Sequence, residues 1–155
     1  MLVALASCQA EPIGPVSLPL QNAASIHVFA LPTNQDWTGH IPLTAGHTVR
    51  MQVRLYTAAG RQITPLQHPV DMSFSFAPAT VATASVADSA LLLFDIAPVD
   101  PPGAEGGLTI TLTEPSTATT KSFGPFYVLV HPATVGYRIG QPPAKLGSFA
   151  TVAQR

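Results

Sequence analysis

Charged side chains are scarce in this chain of 155 residues, because Asp, Glu, Lys and Arg together make up 10% of it, against about 25% in typical soluble domains. Eight acidic and seven basic residues leave a formal net charge of −1. A nucleic-acid surface needs a concentrated basic track to neutralise phosphates, so the composition predicts that nucleic acid is not a partner. A weakly charged surface also associates readily with other surfaces, although a GC-rich genome, whose codons favour Ala, Pro, Gly and Thr, would give the same composition.

Cysteine and long apolar runs are nearly absent as well. The single cysteine, Cys8, excludes an internal disulfide and a zinc site built from cysteines. No apolar run approaches the roughly 20 residues that a transmembrane helix needs, and no stretch has a convincing helical period. The length fits one domain of ordinary size, which can bury a sizeable core without cross-links.

Motifs for catalysis and metal binding are also missing. The chain has no Gly-x-Ser-x-Gly sequence, which would place a nucleophilic serine on a sharp turn. Its histidines never occur as His-x-His or His-x-x-x-His, the spacings that present two imidazoles to one metal ion, although distant histidines could still converge in the fold. No Asp-x-Asp pair supplies oxygens for calcium. The sequence therefore predicts a protein that is not an enzyme and that has no metal site and no cofactor.

Alternation of apolar and polar side chains with a period of two is the dominant pattern. It is clearest over residues 48–57, where Val49, Met51, Val53 and Leu55 alternate with Arg50, Gln52, Arg54 and Tyr56. Such alternation is typical of a half-buried strand. Further strands are predicted at residues 25–31, 72–76, 80–86, 90–96, 108–113 and 124–131. About seven short strands separated by turn residues predict an all-β fold, an antiparallel β-sandwich in which two sheets share one core.

The sandwich is predicted to occupy residues 25–131, with irregular segments on both sides. Residues 8–24 contain three closely spaced prolines, which keep a chain extended and out of helices, so we expect a stalk or linker there. Residues 132–155 have no period and are predicted to form an extended arm. Its large side chains are predicted to bind a partner's groove or, alternatively, to fold back over the sandwich. They are Tyr137, Ile139, Leu146 and Phe149.

Several short motifs occur in a fixed order between residues 41 and 131. They are Leu43-Thr44-Ala45-Gly46 before the alternating strand, Tyr56 with Gly60-Arg61-x-Ile63, Phe74-Ser75 with Pro78-x-x-Val81-Ala82-Thr83, and Gly107-x-x-Ile110-Thr111. In this order they resemble the bacterial Ig-like domain of group 2. The chain departs from that pattern at Ser89-Ala90, where the family usually has a glycine, and in a longer, proline-rich loop at residues 98–107. The resemblance implies an Ig-like sandwich and a non-catalytic module of exported proteins.

The N-terminus carries an apolar run that ends in Leu5-Ala6-Ser7-Cys8. This pattern resembles the lipobox of bacterial lipoproteins. The resemblance implies that residues 1–7 are the remnant of a signal and that Cys8 is acylated. The mature chain would then be anchored in membrane lipid on the periplasmic side of a bacterial membrane, or at the cell surface. The alternative is the apolar start of a soluble chain, because a secretory signal normally begins with a basic segment and no basic residue precedes Cys8.

Two further groups of residues are predicted to contact a partner. Arg50, Gln52, Arg54 and Tyr56 project from one sheet face, and arginine and tyrosine are enriched at interface hot spots. The alternative is an ordinary solvated face. Trp37, in the loop at residues 32–46, is predicted either to stack on a sugar or dock on a partner, or to close one end of the core.

These features together predict a non-catalytic, lipid-anchored accessory or structural subunit. It would bind other protein subunits on the periplasmic face of a membrane complex, whether respiratory, photosynthetic or concerned with the envelope. The alternative is a cell-surface adhesion or carbohydrate-binding module that uses Trp37 and the face carrying Arg50 to Tyr56.

Overall fold

Two facing β-sheets make up residues 14–133, the part of the chain that the computed structural model describes. The strands are β1 (Val16–Leu18), β2 (Ser25–Leu31), β3 (Gln35–Asp36), β4 (Ile41–Thr44), β5 (Val49–Tyr56), β6 (Gln62–Leu66), β7 (Asp71–Ala77), β8 (Ala82–Asp88), β9 (Leu93–Pro98), β10 (Glu105–Glu114) and β11 (Thr119–His131). A short 3-10 helix, η1 (Leu20–Asn22), follows β1. The predicted all-β sandwich is confirmed.

The larger sheet has seven strands and the smaller sheet has four. In the larger sheet the order is β1-β6-β5-β2-β3, with β9 also pairing with β5, and β8 pairing with β9. The smaller sheet has the order β4-β11-β10-β7. Most pairs are antiparallel as predicted, but β1 runs parallel to β6 and β4 runs parallel to β11. Each parallel pair joins strands that are distant in sequence, so no tight hairpin forces them to be antiparallel.

The core lies between the sheets and is formed by the inward side chains of both. In β5 the buried residues are Met51, Val53 and Leu55, and in β10 the buried apolar residues are Leu108, Ile110 and Leu112, as the alternation predicts. Phe126, Val128 and Val130 of β11 are also buried. Phe74 of the smaller sheet packs on Phe94 of the larger one, with ring centroids 4.8 Å apart.

The hairpin between β8 and β9 starts later than the sequence predicts. We expected strands at residues 80–86 and 90–96, whereas the structure has them at Ala82–Asp88 and Leu93–Pro98. The Asp88 carboxylate accepts hydrogen bonds from the N–H groups of Ala90 and Leu91, at 2.9 and 3.1 Å. Because an aspartate side chain can fix the backbone just after it, the turn follows Asp88 instead of being centred on it.

The first part of β10 corrects the predicted loop at residues 98–107, because the strand already begins at Glu105. Gly106 and Gly107 are strand residues that let neighbouring segments pack closely. A Cβ atom on Gly106 would lie 2.9 Å from Val81 Cγ1, and one on Gly107 would lie 2.9 Å from Pro125 Cβ. Glycine therefore marks close packing here and not a loop.

The predicted linker at residues 8–24 does not extend to residue 24, because residues 16–24 belong to the sandwich. β1 pairs with β6, and Leu20 and Ala23 are buried in the core. Prolines at positions 15 and 19 flank β1 without interrupting it, as edge strands allow. The first 13 residues and the predicted arm from residue 134 onward lie outside the described residues.

Candidate functional site

The outer face of the larger sheet carries the side chains that the sequence singles out. β5 pairs along its length with β2 on one side, and with β9 and then β6 on the other. Arg50, Gln52, Arg54 and Tyr56 all project outward, since the residues between them are buried. The register places His27 beside Arg54 and Phe29 beside Gln52. These six residues are called the arginine face below.

Arg54 is held in one orientation by three neighbours. Its Nε and Nη2 each donate to Gln52 Oε1 at 3.1 Å, and Nη2 also donates to Asn34 Oδ1. The guanidinium carbon lies 4.0 Å from the centre of the Phe29 ring, a distance at which the cation and the π system attract each other. Among residues 14–133 no carboxylate forms an ion pair with Arg54. The Arg54 guanidinium is therefore held in place by neutral groups.

Arg50 forms a two-bond ion pair with Asp95 of β9. Its Nε and Nη2 donate to the two carboxylate oxygens, both at 2.9 Å. These hydrogen bonds raise the pKa of Arg50, and they lower the pKa of Asp95 despite partial desolvation. Because Asp95 neutralises Arg50, the uncompensated positive charge of the face is centred on Arg54.

An aromatic and acidic cluster borders the face on the β2 side. His27 Nδ1 lies 2.8 Å from Asp36 Oδ2, and the His27 ring contacts Tyr56 edge-on with centroids 4.9 Å apart. Desolvation alone would raise the pKa of Asp36, but hydrogen bonds from His27 and Thr38 together lower it to about 2. The Asp36 carboxylate is thus charged at all physiological pH values, and it fixes the His27 ring beside Tyr56.

Two small cavities open beside β6. One, of about 140 Å³, is lined by β6, by residues 90–92 and by Gln52, Val53 and Arg54 of β5, so it borders the arginine face. The other, of about 260 Å³, is lined mainly by Pro65, Leu66, Pro69 and Val70, with His68 at its wall. Both are smaller than the 300–1,000 Å³ typical of small-molecule sites.

Trp37 is half-buried and packs against the hydrophobic core. Its backbone N–H donates to the Val28 carbonyl at 2.8 Å, and its backbone carbonyl accepts from the His40 backbone N–H at 3.0 Å. Trp37 thus contributes to the packing around the core, and its contact with a sugar or a partner stays a prediction. The other predicted contact residues, Tyr137, Ile139, Leu146 and Phe149, and the predicted lipidation residue Cys8 lie outside the described residues.

Sequence reasoning identified Gln52, which orients Arg54, but missed the residues that other strands and turns contribute on and around the arginine face. Phe29 and His27 could have been found, because they alternate with buried Val28 in a strand that the sequence does predict. Asn34, Asp36 and Asp95 gave no usable signal, since their positions depend on turns and on strand register. Local alternation does not specify which strands become neighbours.

Within residues 14–133, no three His, Cys, Asp or Glu side chains are arranged so that they could hold a metal ion. The same part of the chain contains no helix with the length and apolar character needed to cross a bilayer. The chain matches no known family model, and no curated protein is significantly similar to it in sequence.

Proposed function

We propose that this protein is a non-catalytic, lipid-anchored accessory subunit that docks through its arginine face on a protein partner at the periplasmic side of a bacterial membrane. The observation that carries the proposal is the Arg54 guanidinium, which is ordered by Phe29 and Gln52 and has no carboxylate partner among residues 14–133. A side chain that is already ordered loses less conformational entropy on binding. A partner carboxylate would complete the site, because carboxylates bind the planar guanidinium strongly.

The extent of the sandwich supports a close position at the membrane. Because residues 16–24 pack on the sandwich, only five residues, 9–13, lie between Cys8 and Gly14, where the described chain begins. A fully extended segment of that length spans roughly 20 Å. An acyl chain on Cys8 would therefore keep the sandwich beside the bilayer surface. Such confinement raises the effective concentration of the sandwich near other membrane proteins, so that weak lateral contacts suffice for binding.

Protein docking is favoured over the carbohydrate-binding alternative by the position of Trp37. Sugar binding would use the exposed flat side of an indole ring, whereas Trp37 is half-buried against the core. The arginine face instead combines arginine, tyrosine and phenylalanine, which are enriched at protein interfaces. Glycan-array binding that disappears in Trp37→Ala would overturn this preference.

The docking proposal is tested by purification of the tagged, membrane-bound protein in mild detergent. Arg54→Ala is expected to reduce the recovered partner at least about tenfold, because truncated arginine hot spots cost 2 kcal/mol or more. Thr111→Ala, on the outer face of the smaller sheet, is the matched control and should leave recovery unchanged. Equal recovery with Arg54→Ala and with Thr111→Ala would contradict docking through this face.

Lipid anchoring has its own test, independent of the partner. Mass spectrometry of the mature protein should show a diacylglycerol-modified Cys8 at the N-terminus, and Cys8→Ser should move the protein from the membrane to the soluble fraction. An unmodified Met1 in the mature protein would contradict the lipoprotein assignment.

The predicted arm is tested separately, because removing residues 132–155 should release the protein from its complex if the arm contributes to docking.

A further inference from the structure

The outer face of the smaller sheet brings together two histidines that are distant in the sequence. His131 is the last residue of β11, and His40 immediately precedes β4, which runs parallel to β11. The centroids of the two imidazole rings are 6.2 Å apart. No short motif pairs these histidines in the sequence, so only the fold makes them neighbours.

Strand alternation places both rings on the solvent side of the sheet. Val128 and Val130 of β11 are buried, so Tyr127 and His131 project from the opposite face. The His40 ring contacts the Tyr127 ring, with centroids 5.4 Å apart, and both histidines are exposed. The tyrosine therefore restricts the rotation of His40 and leaves the edges of both imidazoles open to solvent.

The other histidines have different surroundings. All five histidines of the chain lie in its described part. His27 and His68 each lie beside a carboxylate, whereas His40 and His131 form no ion pair among residues 14–133. Within that range, His40 and His131 are also the one pair of imidazole rings in contact with each other.

Glu105 of β10 adds a negative charge to the same patch. It is opposite Leu129 in the register of β10 and β11, and so it lies on the outward side between the levels of Tyr127 and His131. Desolvation and a hydrogen bond with Glu105 raise the pKa of Tyr127. The carboxylate thus reaches the tyrosine that His40 contacts, and its charge attracts a cation to this face.

The spacing of the two rings is suited to a metal ion between them. A metal ion lies about 2.0–2.1 Å from a ligating imidazole nitrogen, and the ring centre is roughly 1 Å farther away, so two centres can be up to about 6.3 Å apart. The observed 6.2 Å lies within this limit. Ligands at neighbouring coordination positions have centres about 4.5–5 Å apart by the same geometry, and small side-chain rotations of exposed histidines close that difference.

We infer that His40 and His131 bind one divalent transition-metal ion, and Cu²⁺ most tightly. Imidazole nitrogen is a preferred ligand of Cu²⁺, Ni²⁺ and Zn²⁺, and Cu²⁺ has the highest affinity in this series. Each histidine donates the lone pair of one ring nitrogen. Water completes the coordination, because residues 14–133 place no third His, Cys, Asp or Glu ligand at the site.

The open coordination positions distinguish this site from a closed structural metal site. They leave the ion free to exchange or to accept a donor atom from another molecule. The site lies on the opposite side of the sandwich from the arginine face. It depends neither on lipid anchoring nor on docking through Arg54, and it can fail or succeed independently of both.

The first test is calorimetric titration of Cu²⁺ into the full chain carrying Cys8→Ser, which removes the thiol as a competing ligand. The expected result is saturable binding of one ion per chain. His40→Gln and His131→Gln should each raise the dissociation constant at least about tenfold, because losing even a residue that only supports a metal ligand costs 10–100-fold. His47→Gln, which removes an exposed histidine outside the pair, is the matched control and should leave the constant unchanged.

The second test identifies the ligands and the state that binds. Electron paramagnetic resonance of the Cu²⁺ complex should show coupling to two ring nitrogens, and His131→Gln should remove one of them. Cu²⁺ should also raise the urea midpoint, because the two histidines meet only in the folded protein and a ligand of the folded state stabilises it. His47→Gln should keep this rise in the midpoint, and His131→Gln should lose it.

A protein without saturable Cu²⁺ binding would overturn the inference. Equal weakening by His40→Gln, His131→Gln and His47→Gln would also overturn it, because the ion would then be held adventitiously by separate histidines. A complex whose spectrum shows coupling to a single nitrogen would overturn it as well, since the two rings would not share the ion.

Discussion

Glu114 is a fully buried carboxylate at the end of β10 that connects the N-terminal segment to the rest of the sandwich. Its Oε2 accepts the Leu20 N–H at 2.8 Å, and its Oε1 accepts from the Thr117 hydroxyl at 3.0 Å. The hydrogen bond from Leu20 holds the pKa of Glu114 below its ordinary value, although desolvation acts in the opposite direction. The charged form is therefore the one that the folded protein stabilises.

This lowered pKa predicts how stability depends on pH. The contribution of the charged Glu114 side chain to the free energy of unfolding is fully present above the ordinary pKa of 4.5. It is lost as the pH falls through the lower pKa that Glu114 has in the folded state. Glu114→Gln should therefore lower the urea midpoint at neutral pH and reduce the loss of stability between neutral and acid pH. Urea unfolding at several pH values measures both effects.

Asp71→Asn, an exposed substitution at the start of β7, provides the comparison for the pH series and should leave the neutral-pH midpoint almost unchanged. If Glu114→Gln and the unaltered protein lose stability in parallel on acidification, Glu114 does not stabilise the fold through its charge.

At the scale of single elements, the N-terminal segment is fixed by contacts from three directions. β1 pairs with β6, Glu114 accepts the N–H of Leu20, and Lys121 Nζ donates to the carbonyls of Gln21, at 2.8 Å, and Ala23. Leu20 itself is fully buried. Residues 16–24 therefore contribute to the stability of the sandwich in a way that a linker would not.

Two truncations distinguish the predicted linker from the segment that packs on the sandwich. Removing residues 1–13 should leave the free energy of unfolding unchanged, whereas removing residues 1–24 should lower it by at least ~2–5 kcal/mol, the usual cost of losing one buried leucine. Urea denaturation of the two shortened proteins measures the difference. Equal stability would mean that the packing of Leu20 and Ala23 contributes nothing.

Strands were predictable from the sequence where alternation extends over enough residues and glycine and proline are absent. β5 and β2 satisfy this condition, and their outward residues could be assigned as well. β4 and β6 were missed because each is short and contains a proline, Pro42 or Pro65, and β3 has only two residues. The partners of Arg50 and Arg54 come from other strands and turns, and their approach depends on register, which no local pattern encodes.

At the scale of the whole molecule, the two sheets depend on one shared core. Phe94 of the larger sheet has no exposed surface and packs on Phe74 of the smaller one. Because neither sheet can bury its inward face alone, both should unfold in a single cooperative transition, as small single domains usually do.

Phe94→Ala tests this dependence. It should reduce the free energy of unfolding by ~3–5 kcal/mol, and the fluorescence of Trp37 and the far-UV circular dichroism should change at the same urea concentration. Leu91→Ala, at a side chain that is 58% exposed, is the comparison and should have little effect. Two separated transitions in Phe94→Ala would show that the sheets are not a single cooperative unit.

The two side chains that fasten the N-terminal segment come from positions 114 and 121, so they are about a hundred residues away along the chain. A ribosome or an export channel delivers the N-terminus first. Residues 20–23 consequently cannot be held by Glu114 and Lys121 until nearly all of the sandwich has emerged, although β1 can meet β6 earlier. The lipidation proposed for Cys8 would therefore act on a chain whose residues 20–23 have not yet been fixed by Glu114 and Lys121.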